Sequence, residues 1–71
     1  MPYINVRLID DKLTVEDKSE VIAQITQVMV NVLGKDPEST HVVIDEIPLD
    51  NWGLGGKSVT VRRSLKGVSD K

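Results

Sequence analysis

Apolar positions near the start of the chain fall on every second residue. In MPYINVRLI, Ile4, Val6 and Leu8 lie on one face and Tyr3, Asn5 and Arg7 on the other, which predicts a strand over 2–9 with one buried side. Pro2 suits the first position of such a strand, where a missing N–H costs nothing on an edge. After a polar turn from Asp10 to Leu13 the period changes. Val21, Ile22, Ile25, Val28, Met29, Val32 and Leu33 recur at spacings of three and four, with Lys18, Gln24, Gln27 and Asn31 opposite, so a helix is expected over 14–33. Thr14 and Asp17 have the spacing of a capping box, and Glu16 and Asp17 place negative charge on the first turn. Gly34 can close the helix in a left-handed conformation, with Pro37 just beyond.

HVVIDEI predicts a second strand over 41–47, stopped by Pro48. Strand, helix and strand in sequence make a βαβ unit, whose two strands run parallel with a right-handed crossover. DNWGLGG is a glycine-rich loop, and KSVTVRRSL alternates like a short strand or hairpin arm, so 48–66 is expected to be loop and hairpin and 67–71 a frayed tail. The fold class is α+β, a single domain over 1–71. Two strands with a helix on one face leave the other face uncovered. A second copy is expected to complete the sheet.

Composition strengthens that expectation. A chain of 71 residues hides only ~60% of the surface its unfolded form exposes. Cysteine is absent and His41 is the single histidine, so disulfides, thiolate metal sites and a histidine-rich metal site within one chain are excluded. Self-assembly is left as the source of stability. A net charge of −2 argues against nucleic acid, whose binding rests on clustered Lys and Arg. No apolar run approaches the ~20 residues that span a bilayer. No basic segment followed by an apolar stretch and a cleavage site opens the chain, so a cytoplasmic protein is expected.

Several motifs invite chemistry. GLGGKS ends like a phosphate-binding loop, but Asn51 stands where that pattern needs glycine and the residues that follow read as strand, so nucleotide binding is rejected. Asp45 and Glu46 are neighbours in a strand and point to opposite faces, which rules out a paired-carboxylate site in one chain. Arg62 and Arg63 read most simply as a solvated pair, with a neighbouring subunit or an acidic ligand as the alternative. Pro2 has two readings: an inert strand start, or, once Met1 is removed, a secondary amine able to take up and return a proton. The second requires an amine of lowered basicity, which apolar walls or a nearby cation supply. Tyr3 and Trp52 are candidate walls, and Lys12 and His41 candidate positive or polar neighbours. The residues alone show that such a site is possible.

MPYINVRLI, the βαβ unit, and then IDEIPLDNWGLGG with a short basic strand resemble the 4-oxalocrotonate tautomerase family. The resemblance runs from Pro2 to about Arg63, and its three features occur in order: the N-terminal proline, the single βαβ, and an aromatic-Gly-x-Gly-Gly loop. It implies small subunits in a homohexamer, usually a trimer of dimers, that use no cofactor. It implies Pro2 as catalytic base, moving a proton next to a carbonyl. Trp52 matches the pocket aromatic, most often Phe in the family. Lys12 falls where the family has an arginine that grips a substrate carboxylate, and His41 where it has a second arginine that meets the carbonyl oxygen and a carboxylate. Lysine keeps the charge without the planar fork of arginine. A neutral imidazole still donates one hydrogen bond to a developing enolate but grips a carboxylate weakly.

The expected activity is a cofactor-independent keto–enol isomerase acting on 2-hydroxymuconate-like dienols or related 2-oxo acids. Pro2 would be the base, with Lys12, His41, Trp52 and, less centrally, Tyr3 around the substrate. A monoacid or another enolisable carbonyl compound fits the weakened diacid clamp. Two alternatives stand beside it. One is a hydratase-dehalogenase on the same scaffold, which needs a carboxylate to activate water. The other is a silent oligomeric binding or scaffold protein, the outcome expected if Met1 stays attached and leaves Pro2 an amide.

Overall fold

A computed structural model describes residues 1–66. Strand β1 (Tyr3–Ile9) is followed by helix α1 (Val15–Leu33), a single 3₁₀ turn at Pro37–Ser39, and strand β2 (His41–Ile47). β1 and β2 pair in parallel along their whole length, from Tyr3 opposite His41 to Ile9 opposite Ile47. Alternation places Ile4, Val6 and Leu8 of β1 on the same side as Val42, Ile44 and Glu46 of β2. α1 covers this side, and Lys18 on the helix forms an ion pair with Glu46. The opposite side carries a polar chain: Asn5 Nδ2 donates to Asp45 at 3.0 Å, and Arg7 Nε lies 3.3 Å from Asn5 Oδ1 and 3.7 Å from Asp45.

α1 begins and ends as its sequence dictates. Thr14 Oγ1 accepts from the Asp17 amide and Asp17 Oδ2 accepts from the Thr14 amide, both at 3.0 Å, a complete capping box. Gly34, at φ 65°, closes the helix with its amide directed at the last-turn carbonyls.

The C-terminal segment forms the expected hairpin, but a helix follows it where more loop and hairpin was expected. A 3₁₀ turn at Leu49–Asn51 leads into a hairpin with arms of two residues, β3 (Gly53–Leu54) and β4 (Lys57–Ser58), and helix α2 (Val59–Lys66) follows. The hairpin loop is Gly55-Gly56, both at positive φ (65° and 83°), which suits the primed two-residue turns of tight hairpins. The V-T-V alternation that predicts strand beyond Ser58 is overridden by capping and packing. Ser58 Oγ accepts from the Val61 amide at 3.2 Å, giving α2 its N-cap. Val59 is enclosed against the Trp52 turn, its amide donating to the Trp52 carbonyl at 2.8 Å. The tail expected over 67–71 lies outside the described residues.

One protomer does not close on itself. Among the described residues Val59, 8% exposed, is the only buried apolar residue, while Val15, Val32, Leu33 and Leu65 are largely exposed. The radius of gyration is 15.5 Å and the extents are 45 × 24 × 16 Å, whereas a compact chain of this length has a radius near ~11 Å. The accessible surface, 5290 Å², exceeds the roughly 4400 Å² of a compact chain of this mass.

Candidate active site

The candidate residues fall into two clusters. The first lies where both strands begin. The amide of His41 donates to the carbonyl of Pro2 at 2.9 Å, one step before the paired rows of the sheet. This fixes Pro2 beside the start of β2. Pro2 is half-buried, and Tyr3 and His41, paired across the strands, are exposed on the side away from α1. Met1 precedes Pro2, so the proline nitrogen is an amide in this chain. The carbonyl, not the nitrogen, makes the anchoring bond.

The second cluster lies where the strands end. The Asp10 amide donates to the Ile47 carbonyl at 2.9 Å, continuing the ladder by one residue. The chain then turns sharply at Lys12, the one non-glycine described residue in the left-handed region, at φ 63°. Asp11 before it is held by Arg63 of α2 through two parallel bonds, Nη1 to Oδ1 at 2.7 Å and Nη2 to Oδ2 at 3.0 Å. Asp11 and Leu13, on either side of Lys12, line an open cleft of about 520 Å³ with Arg7, Leu8, Ile9 and Trp52. Lys12 itself is exposed and has no ion-pair partner among the described residues. The 3₁₀ turn before Trp52 and the Val59 bond behind it set the indole in the cleft wall.

A seven-residue strand spans about 20 Å. Within one protomer, Pro2 with Tyr3 and His41 is therefore separated by the length of the sheet from Lys12 and Trp52. Pro2 and His41 are neighbours at one end. At the other end Trp52 lines the cleft beside the turn that carries Lys12. Asp11 and Arg63 adjoin Lys12 as a pair that the sequence does not announce. Arg63 reads as solvated until α2 folds, and 52 residues separate it from its partner. No group of three or more His, Asp or Glu residues is placed to hold a metal ion among the described residues. Nor is any described helix long and apolar enough to cross a membrane.

Pro2 thus stands at the head of the βαβ sheet and the Trp52 cleft at its foot. Residues 2–62 match the family model described as tautomerase enzyme. A probable tautomerase, K2, from Dickeya dadantii is 52% identical over 63 residues, covering 89% of this chain and 94% of the relative. The crystal structure of DmpI from Helicobacter pylori superposes with a TM-score of 0.81 at 40% identity, covering 89% of this chain and 97% of that one. The R7 fused 4-oxalocrotonate tautomerase, an asymmetric trimer, gives a TM-score of 0.81 at 34% identity, with 87% of this chain matching 50% of that chain. The chain belongs to the tautomerase family and is an isomerase of the 4-oxalocrotonate tautomerase type.

Proposed function

We propose that this protein ketonises 2-hydroxymuconate-like dienols or related 2-oxo acids without a cofactor, with Pro2 as general base once Met1 has been removed. The free secondary amine takes the hydroxyl proton of the dienol. The electron pair left on oxygen forms the carbonyl and the conjugated double bonds shift. The prolinium then returns the proton to carbon, so atoms and charge balance. The imidazole of His41 donates to the oxygen as charge develops there, and Lys12 attracts a substrate carboxylate. Trp52 supplies an apolar wall that keeps the amine unprotonated, and Tyr3 borders the entrance.

The observation that supports this reading best is the bond between the Pro2 carbonyl and the His41 amide, which sets the two residues at the same end of the sheet. Because Lys12 and Trp52 lie at the far end of the sheet, the complete site is formed between copies, the strand heads of one meeting the cleft of another. The exposed apolar side chains and open shape of the protomer support such an assembly, with a hexamer as its expected size. The carboxylates along the sheet are engaged, Asp11 by Arg63, Asp45 by Asn5 and Glu46 by Lys18. That favours proton shuttling by the amine over activation of water.

Intact mass and ketonisation of 2-hydroxymuconate and of a monoacid dienol, measured on one sample, test the proposal. Processed protein is expected to turn over, and Pro2→Ala to lose about 10²–10⁴-fold in kcat/KM. Processed protein without turnover, or a Pro2→Ala variant as active as the parent, would reject it.

A further inference from the structure

Lys12 is the cation offered to substrate in the reading above, yet its immediate neighbour Asp11 lines the Trp52 cleft with a carboxylate. Arg7 also lines the cleft but faces Asp45 at 3.7 Å, so without Arg63 the Asp11 carboxylate would offset the charge of Lys12 and repel an incoming anion. It is compensated from α2. Arg63 meets both oxygens of Asp11 in a fork, at 2.7 and 3.0 Å, with the two side chains only 23% and 20% exposed. Paired, shielded geometry of this kind is the strong form of a charge-assisted hydrogen bond. The pair also acts on the backbone. A non-glycine residue in the left-handed region persists only where its surroundings over-determine it. Lys12 is held from one side by the Asp11 clamp and the Asp10–Ile47 bond, and from the other by the Thr14 capping box.

We propose that Arg63 is a positioning residue for anion recognition. It neutralises Asp11 and fixes the turn that carries Lys12, so that the Trp52 cleft presents a net positive charge to a substrate carboxylate. This rests on the reading of Lys12 given above. It makes α2 a specificity element that is tied to Trp52 through Val59 and to Asp11, the residue before Lys12, through Arg63. Arg63 touches no reacting atom in this scheme and acts through Asp11.

The test compares Arg63→Gln, Arg63→Lys, Asp11→Asn and the double variant Asp11→Asn/Arg63→Gln, all as full-length, Met1-processed protein of verified oligomeric size. Two readouts are used: titration with muconate, a dicarboxylate without the enol, and kinetics on 2-hydroxymuconate and its uncharged diethyl ester. Arg63→Gln is expected to weaken muconate and raise KM for the diacid about tenfold, roughly what one uncompensated charge several ångströms away is worth near a protein surface. Its kcat, and its kinetics on the diester, stay unchanged. The double variant, which lacks the tether but also the Asp11 charge, regains most of the anion affinity. Arg63→Lys retains it, and Asp11→Asn binds muconate at least as well as the parent. Unchanged muconate affinity in Arg63→Gln, equal losses on diacid and diester, or no recovery in the double variant would each overturn the proposal. If the parent ketonises but Arg63→Gln binds muconate normally, the role of Arg63 falls and the proline mechanism stands. If the parent binds muconate in an Arg63-dependent way without turnover, the mechanism falls and the role of Arg63 stands. A parent that does neither overturns both.

Discussion

Lys12 occupies a backbone conformation, φ 63°, that glycine adopts freely and a lysine only at a cost of about 1 kcal/mol. The family resemblance reads the residue as a cation, and nothing in its neighbours' letters announces the left-handed turn. The residues on either side of the turn, Asp11 and Leu13, line the Trp52 cleft. Substituting Lys12 separates the two properties. Lys12→Gly should be more stable than Lys12→Ala by about 1 kcal/mol in urea denaturation, since only glycine relieves the turn. Both should lose affinity for the diacid to the same extent. Equal stability of the two variants would show that the turn stores no strain. Pro2 and His41 contrast with Lys12. Their adjacency follows from a parallel βαβ unit, because such a unit sets both strand starts at one end.

At the scale of elements, β1, α1 and β2 are legible because each has a clear period or propensity and its own punctuation. Alternation defines β1, the β-branched run of HVVIDEI stopped by Pro48 defines β2, and Thr14, Asp17 and Gly34 bound the helix in the structure as in the sequence. α2 is not legible. In Val59-Thr60-Val61 a short β-branched run fits either period, and the deciding contacts, Ser58 on the Val61 amide and Val59 behind Trp52, appear only after the hairpin has turned. Arg63 finds Asp11 only through that helix. The hairpin is accordingly the element on which the cleft depends. Gly55 sits at φ 65°, and a Cβ there would come within 3.2 Å of Arg62 Nη1. The guanidinium can swing aside but the backbone cannot change sign. Gly55→Ala should therefore destabilise the fold by about 1 kcal/mol. Unfolding followed through Trp52, the single tryptophan, reads the loss directly. An unshifted urea midpoint would mean that the loop relaxes without disturbing the cleft.

At the scale of the whole molecule, the protomer is elongated, thinly cored and apolar along both helices, with Val32 at 72% and Leu65 at 70% exposed. A chain whose enclosed surface comes from its neighbours has a stability set by protein concentration. Its melting temperature should rise on concentration, and Leu65→Glu should lower both the melting temperature and the sedimentation coefficient. A melting temperature independent of concentration, at dilutions where the oligomer dissociates, would contradict this. One feature of the sheet bears on how such an assembly matures. The His41 amide grips the carbonyl of Pro2 and leaves the nitrogen out of the ladder, so trimming Met1 alters no hydrogen bond of the strands. Trimmed and untrimmed chains should therefore be interchangeable building blocks that co-assemble without sorting. Specific activity would then be a dosage, proportional to the fraction of chains whose first residue has been clipped, with the architecture blind to which copies are competent.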